Sequence, residues 1–363
     1  MVVVKVMKLA RQPGFFDMEE MADKLIKLGD PLVGLKGMVD WEAFRPILSK
    51  ILNKKKKSKV GAKPYDVVLM FKVLIIKKLH GLSDDQTEYQ IRDRYSFKRF
   101  LDLQMESKIP DSKTIWLFQE GLKEKKLGDD LFHAFDEQIK TRGYDLRSGQ
   151  IIDATFVQVP RQRNTKQENE QIKDGKTPKE WKEEPNKLRQ KDVDARWTKK
   201  NKEKFYGYKN HVNVDSKTKL IQEYDVSDAA VHDSKVCEEI LDYTVMEDGT
   251  RRPLSGDSAY RSEEREEFLK QNNMKSNIHE KGKRNKPLTE EQKASNTEKS
   301  RIRVRIEHIF GLQWHFGGDF INTIGKARAH LQIALINLLT NMLRLGQLTR
   351  IDSRKQALLT VAV

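Results

Sequence analysis

The chain has 363 residues, and its 69 Lys and Arg residues against 54 Asp and Glu residues give a formal net charge of +15 at pH 7. This basic excess indicates a polyanionic partner, although a merely soluble basic protein would have the same composition. The single cysteine, Cys237, excludes an intramolecular disulfide and a cysteine-rich zinc site, and it favours a cytoplasmic protein. The longest apolar run, 67–76, contains Lys72 and is too short to span a bilayer, so we expect no membrane partner.

The N-terminal part of the chain is predicted to be helical. Residues 1–60 combine short amphipathic pieces with the basic run 54–59, and we interpret them as an N-terminal arm and basic linker. Helical periodicity and capping residues predict three short helices in a domain covering 61–145, and these helices begin at Pro64, Ser83 and Asp111. Short helices joined by tight turns are typical of a DNA-binding module and equally of any small bundle.

From residue 151 onward the pattern changes to strands, which later alternate with helices. The predicted strands cover 151–159, 205–215, 220–226, 252–255 and 275–279. The predicted helices cover 233–241 and 263–271, a long one begins near residue 298, and an apolar one covers 329–345. This order favours the α/β class, with a mixed sheet flanked by helices over 146–346 and a C-terminal tail over 347–363.

Two basic segments interrupt this pattern. Residues 161–210 contain 16 Lys or Arg and 9 Asp or Glu, a net charge of +7, and residues 281–305 contain 9 and 3, a net charge of +6. The stretch at about 160–204 lacks periodicity, and we predict a loop or mobile insertion there. If both segments border a catalytic site, they form a channel for a phosphate backbone; otherwise they are solvated surface.

Three carboxylates have unusual sequence contexts. Asp153 interrupts an apolar strand, where a charge is costly unless it is compensated. Asp257 follows the short strand at 252–255, and Glu307 lies on a helix rich in arginine. Together they could hold hard divalent cations, which activate water or a 3′-hydroxyl in phosphodiester chemistry. The alternative is structural, with Asp257 in an ordinary turn and Glu307 paired to Arg303 at i,i+4.

Other chemistries have weaker signals. The chain has no GxxxxGK[ST] phosphate loop, and His232 is interpreted as a helix N-terminus feature. His308 and His315 share one helix face but lack a third metal ligand in the sequence. Trp314 shares a helix face with Glu307, where it could stack on a base, although core packing is the favoured interpretation.

Several short motifs, in this order, resemble those of bacterial insertion-sequence transposases of the DDE class, in the insertion-sequence-five family. The resemblance runs from about Phe15 to Leu345. It is carried by the segments 81–84, 97–101, 109–112, 152–155, 194–200, 206–211, 256–260 and 303–308. Each motif is weak alone, and the ordered set is highly specific.

The resemblance implies an RNase H-like catalytic domain behind a helical N-terminal domain that binds terminal inverted repeats. Asp153, Asp257 and Glu307 match the family's catalytic and metal-binding triad residue by residue. The implied cofactor is Mg²⁺, with Mn²⁺ as a substitute and two ions in the site. Where relatives often have a basic residue seven positions after the glutamate, this chain has Trp314, so strand positioning is expected to use Arg305 or Lys299.

The implied function is that of a DNA transposase, which cleaves the element ends and transfers them to target DNA. The implied partners are double-stranded DNA, as terminal inverted repeats and target, and a second copy of the chain in a homodimeric synaptic complex. The implied location is the bacterial cytoplasm, in association with the nucleoid. A stand-alone metal-dependent nuclease and a catalytically inert DNA-binding protein derived from a transposase are the alternatives. The residues expected to contact DNA are Lys199, Lys200, Lys202, Lys204, Lys209, Arg303 and Arg305.

Overall fold

The computed structural model describes residues 17–52, 63–144, 148–246, 248–282 and 287–361. The basic run 54–59 lies outside these ranges. In the described part of the chain, no helix combines the length and apolarity that crossing a bilayer requires.

Helices form the N-terminal part of the fold. They are α1 (Asp17–Lys27), α2 (Pro31–Met38), α3 (Arg45–Leu48), α4 (Val67–Leu79), α5 (Asp84–Asp93), α6 (Tyr95–Phe100), α7 (Ser112–Glu124) and α8 (Gly128–Thr141), with 3₁₀ turns at Glu42–Phe44 and Ser49–Leu52. Leu32, Leu35, Phe44 and Leu48 are buried. Residues 31–52 are therefore a packed part of the core, which corrects the prediction of an arm.

Side-chain caps determine where three of these helices begin. Ser83 and Gln86 form the predicted capping box of α5, and Asp111 caps α7, as predicted. The helix predicted from Pro64 instead begins at Val67, because the Asp66 carboxylate accepts hydrogen bonds from the first free backbone N–H groups of α4.

One mixed sheet forms the second half of the fold. Its strands are β1 (Gln150–Gln158), β2 (Arg196–Lys200), β3 (Glu203–Asp215), β4 (Ile221–Asp228), β5 (Arg251–Gly256) and β6 (Met274–Ile278). The long strand β3 pairs antiparallel with β1 on one side and with β2 and β4 on the other. On the far side of β1, β5 and then β6 pair parallel. The predicted α/β class with a mixed sheet flanked by helices is confirmed.

The basic insertion is structured, which corrects the prediction of a loop. It contains α9 (Lys166–Lys173), α10 (Lys179–Glu183) and α11 (Pro185–Leu188), followed by β2. Trp181 is fully buried and donates from Nε1 to Glu168 at 2.7 Å. Because each helix has only one or two turns and buries few side chains, the sequence shows no periodicity there.

The remaining helices cover the sheet. They are α12 (Asp233–Val236), which continues as a 3₁₀ turn at Cys237–Ile240, α13 (Glu263–Gln271), α14 (Glu290–His315) and α15 (Lys326–Val361). Helix α14 begins eight residues before the predicted start, because Thr289 and Gln292 form a capping box. Helix α15 continues through the segment predicted as a C-terminal tail. It packs against both α8 and β4, so one hydrophobic core joins the helical part to the sheet.

Candidate active site

Asp153 lies in the middle of β1, opposite Val212 of β3, and is only 6% exposed. Its Oδ1 accepts the Ala154 backbone N–H at 2.9 Å, and its Oδ2 accepts from Nη2 of Arg303 at 3.0 Å. Burial raises the pKa of the Asp153 carboxyl, Arg303 opposes this shift, and the nearby charge of Asp257 adds to it. The carboxylate predicted to need compensation is thus buried beside a guanidinium.

Asp257 follows β5, the parallel neighbour of β1. Its Oδ1 accepts the Ala259 N–H at 2.8 Å and so caps the 3₁₀ turn Ser258–Tyr260. The negative charge of Asp257 raises the pKa of Asp153, because the neighbouring parallel strands β1 and β5 run towards the same edge of the sheet. Asp257 does cap a turn, as the structural alternative predicted, and it also lies near Asp153.

Glu307 projects from α14 and is exposed. Nη2 of Arg303, one turn earlier, lies 3.5 Å from Glu307 Oε1. Burial disfavours the charge of Arg303, yet Asp153, Asp257 and Glu307 together raise the pKa of its guanidinium. The i,i+4 pair offered as the structural alternative therefore exists, and it places Glu307 at the same cation as Asp153.

The donor set fits a hard divalent cation. Asp153 and Glu307 both contact the Arg303 guanidinium, and Asp257 is close enough for its charge to raise the pKa of Arg303, so negative charge exceeds positive charge among these four side chains. Carboxylate oxygens are the ligands that Mg²⁺ prefers. Among the described residues, no three or more His, Cys, Asp or Glu side chains are already arranged to hold a metal ion, and Arg303 occupies one oxygen of Asp153.

A cleft of about 420 Å³ opens beside this cluster, and we call it the active cleft. Asp153, Arg303 and Glu307 line it, whereas Asp257 does not. Trp314 also lines the cleft and is 56% exposed, so the expectation that it packs in the core is wrong. An aromatic stack also lines the cleft, and its members Phe156 and Phe205 are absent from the predicted site.

The aromatic stack joins strand β1, which carries Phe156, to strand β3, which carries Phe205. The rings of Phe156 and Phe205 are nearly parallel, with centroids 4.2 Å apart. The ammonium of Lys200 lies 5.7 Å from the Phe156 centroid, within cation–π range. The cleft thus combines stacking surfaces with a cation. In the sequence, only the preference of phenylalanine for β-strands pointed to these two rings.

The predicted DNA-contacting lysines fall into two groups. Lys199, Lys200, Lys202 and Lys204 are exposed on the hairpin of β2 and β3, and Lys200 lines the active cleft. Lys209 is buried instead, and its ammonium donates to Asp233 at 2.7 Å and to the Val231 carbonyl at 2.6 Å. This burial removes Lys209 from the candidate phosphate contacts.

The candidate strand-positioning residues are also engaged elsewhere. Arg305 projects from the opposite face of α14 to Glu307 and donates to the Ser216 carbonyl, outside the active cleft. The Lys299 ammonium donates to the Ile278 carbonyl at 3.0 Å and lies 3.5 Å from Glu280. Of the two predicted arginines, only Arg303 lies in the active cleft.

His279 was missed by the sequence interpretation. It follows β6 just as Asp257 follows the neighbouring parallel strand β5, and its N–H donates to the Gly256 carbonyl at 3.2 Å. Burial lowers the pKa of His279, Arg303 lowers it further, and Asp257 opposes both. The shared strand-end position was the signal that could have identified it.

Two family models match the chain. The model described as transposase DDE domain matches residues 144–342, which is more than half of the chain and includes all three carboxylates. The model described as transposase domain (DUF772) matches residues 20–121. The chain belongs to the transposase DDE domain family. Family membership selects a DNA transposase, an enzyme of DNA cleavage and strand transfer, from the three functions considered.

One solved structure is also similar to this DDE transposase. It is a cryo-EM structure of the piggyBac transposase synaptic complex with hairpin DNA. The TM-score is 0.44 at 13% sequence identity, and the match covers 90% of this chain and 76% of that chain.

Proposed function

We propose that this transposase mobilises an insertion sequence of the insertion-sequence-five family, with Asp153, Asp257 and Glu307 as its catalytic carboxylates. The observation that supports this most is that Arg303 pairs with both Asp153 and Glu307, while Asp257 follows the strand that runs parallel to that of Asp153. Neither helix nor strand stability requires this arrangement, since burial of Asp153 is costly. Such a cost is common at functional sites.

The same carboxylates are proposed to hold two Mg²⁺ ions, for which Mn²⁺ can substitute. When bound, these ions supply the activation of water or of a 3′-hydroxyl and stabilise the leaving oxygen of the phosphodiester. The protein contributes a buried ligand in Asp153, a ligand on a rigid strand end in Asp257 and an exposed ligand in Glu307. Because Asp153 is buried and Glu307 is exposed, the Glu307 side of the site is open to DNA.

Arg303 is proposed to change its hydrogen-bond partner when the carboxylates hold divalent cations. Its guanidinium is half-buried and pairs with Asp153 while no other cation neutralises that carboxylate. If Asp153 held a divalent cation, the Arg303 guanidinium would be available to bind a phosphate in the active cleft. Trp314, exposed in the same cleft, is proposed to stack on a base at the DNA end.

The exposed lysines of the β2–β3 hairpin are proposed to bind the phosphate backbone next to the active cleft. The helical region 61–145 is proposed to recognise the terminal inverted repeats. Helix α7 presents Lys113, Trp116 and Leu117 to solvent, a cation beside apolar side chains that suits a DNA groove. Two ends must be held together before joining, so the working unit is proposed to be a homodimer, acting on nucleoid DNA in the bacterial cytoplasm.

The test uses the full chain, a duplex that ends in the element's terminal repeat and a supercoiled target plasmid. Asp153→Asn, Asp257→Asn and Glu307→Gln should each abolish Mg²⁺-dependent cleavage and joining, because hard cations need their anionic ligands. End binding should persist. The matched control is Glu298→Gln, which removes an exposed carboxylate from the same helix and should retain activity.

Two results would contradict the proposal. Near wild-type cleavage by any one triad variant removes that residue from the ligand set. Cleavage by the wild-type chain without any joined product indicates a nuclease rather than a transposase.

A further inference from the structure

A second groove lies between α14 and α15, and Glu307 does not line it. It has a volume of about 460 Å³, and nine residues line it, among them Lys219, His308, Gly311, His315, Arg344 and Gln347. We call it the α14/α15 groove. None of these nine lining residues is acidic, although the chain as a whole has 54 acidic residues. The active cleft, by contrast, has four carboxylates among its lining residues.

The two permanent cations of this groove lack acidic partners. Within the described ranges, no ion pair involves Lys219 or Arg344. Burial lowers the pKa of the Lys219 ammonium, and the nearby charges of Arg344 and Arg305 lower it further. Arg305 and Arg344 donate to the carbonyls of Ser216 and Thr218, in the same turn as Lys219, so three like charges lie at this turn. Repulsion of this kind is costly unless an anion relieves it.

Arg344 is held in place by neutral groups. Its Nε donates to the Thr218 carbonyl at 2.6 Å, and its Nη1 donates to Oε1 of Gln347 at 2.9 Å. These bonds orient the guanidinium without neutralising it. An arginine whose guanidinium is already oriented, and whose charge is not neutralised by these bonds, is well suited to bind a phosphate.

The shape of the groove favours a polymer over a small anion. His308 and His315 mark two turns of α14, about 10 Å of helix, which equals the length of about three base pairs. The groove's cations come from two elements, the β3–β4 turn and α15. A groove of this length suits a backbone better than a single phosphate.

We propose that the α14/α15 groove binds the phosphate backbone of a second DNA duplex, the target, while the element end occupies the active cleft. This inference rests on the proposed transposase function. Helix α14 contributes to both sites, because Arg303 and Glu307 line the active cleft and His308 and His315 line the groove. One helix would thereby position the target relative to the catalytic carboxylates.

The test measures binding of a short fluorescent duplex of random sequence to the full chain over a range of salt concentrations. The groove variant is Lys219→Gln with Arg344→Gln. The matched control is Lys217→Gln with Arg350→Gln, which removes the same charge from exposed neighbours that do not line the groove. Loss of two phosphate contacts should lower the slope of log affinity against log salt by about 1.8 and the affinity by roughly tenfold or more at moderate salt.

A second probe avoids any dependence on the folding of the groove variant. A Cβ at Gly311 would meet no atom within 4 Å, so Gly311→Cys places a fluorophore in the groove without strain. The native Cys237 is buried, and burial raises the pKa of its thiol to about 11, so labelling is selective. Random duplex should shift the fluorescence at position 311 but not at Gly34→Cys, an exposed site that is equally open.

The outcomes separate this inference from the proposed function. Wild-type-like end cleavage by the groove variant, with weaker duplex binding and less joining, supports the inference. An unchanged salt slope in the groove variant, or an unresponsive fluorophore at position 311, overturns it and leaves end cleavage untouched. If the wild-type chain does not cleave ends at all, the proposed function fails while binding in the groove is still measured.

Discussion

Arg303 donates a hydrogen bond from Nη2 to Oδ2 of Asp153 at 3.0 Å, across 150 residues of sequence. The same nitrogen lies 3.5 Å from Glu307, so one guanidinium joins the sheet to α14 between two of the proposed catalytic carboxylates. Arg303 is the counter-ion of the carboxylates when no divalent cation is bound. Its charge and that of the proposed metal ions therefore compete for one site.

Arg303→Gln should make the protein depend on divalent cations for stability. Without them, Asp153 loses its partner while remaining buried, which costs about 1–3 kcal/mol of unfolding free energy. Mg²⁺ should then raise the melting temperature more than it does in the wild type. Thermal unfolding with Mg²⁺ and with EDTA measures this. Arg301→Gln, which removes an exposed pair with Glu298, is the control, and a Mg²⁺ effect equal to the wild type in Arg303→Gln contradicts the prediction.

Trp314→Ala should weaken the binding of DNA ends with unpaired bases, and Trp314→Phe should largely preserve it. Stacking on an aromatic side chain contributes about 1–3 kcal/mol per base, so the expected loss is roughly ten- to a hundredfold. Because Trp314 is exposed, neither substitution should lower the melting temperature appreciably. Equal affinities of the Ala variant and the wild type for frayed ends would exclude a stacking role.

The β2–β3 hairpin should dominate the salt dependence of binding at the active cleft. Replacing Lys199, Lys200, Lys202 and Lys204 with Gln should reduce the slope of log affinity against log salt by two to four units, at about 0.9 per phosphate contact. Specific and random duplexes should lose affinity similarly, since phosphate contacts do not read sequence. The control replaces four exposed lysines of the same insertion, Lys173, Lys176, Lys179 and Lys182. Indistinguishable slopes for the two variants would show that the hairpin is only solvated.

Acid should destabilise the fold through His211. Its Nε2 bonds to Ser227 at 2.8 Å, its Nδ1 has no partner, and burial lowers its pKa to about 4. Between about pH 6.5 and about pH 4 the unfolded chain binds a proton that the folded chain does not, so stability falls as pH falls, by up to about 3 kcal/mol. Denaturant titrations at about pH 7 and about pH 5 should show a smaller decrease for His211→Gln than for the wild type. An exposed substitution, His315→Gln, should leave the decrease unchanged.

Local signals predicted much of the fold. The strand expected at 151–159 is Gln150–Gln158, and the helix expected at 263–271 is Glu263–Gln271. Ser83 and Asp111 were identified as caps because a cap depends only on residues within one turn. The short helices of the basic insertion escaped prediction, since their stability comes from burial of Trp181 rather than from a repeating pattern.

The sequence by itself determined the mixed α/β class and the three carboxylates to consider, because alternation of strands and a charge within an apolar strand are local patterns. Only the tertiary structure decided which basic side chains lie in the active cleft. Arg303 and Arg305 are two residues apart and equally basic, yet one meets Asp153 and the other meets Ser216. Lys209 lies on the same strand as Lys204, yet it is buried against Asp233. The physical reason is that a side chain's partner depends on which face of a helix or strand is covered, and packing between distant segments determines that.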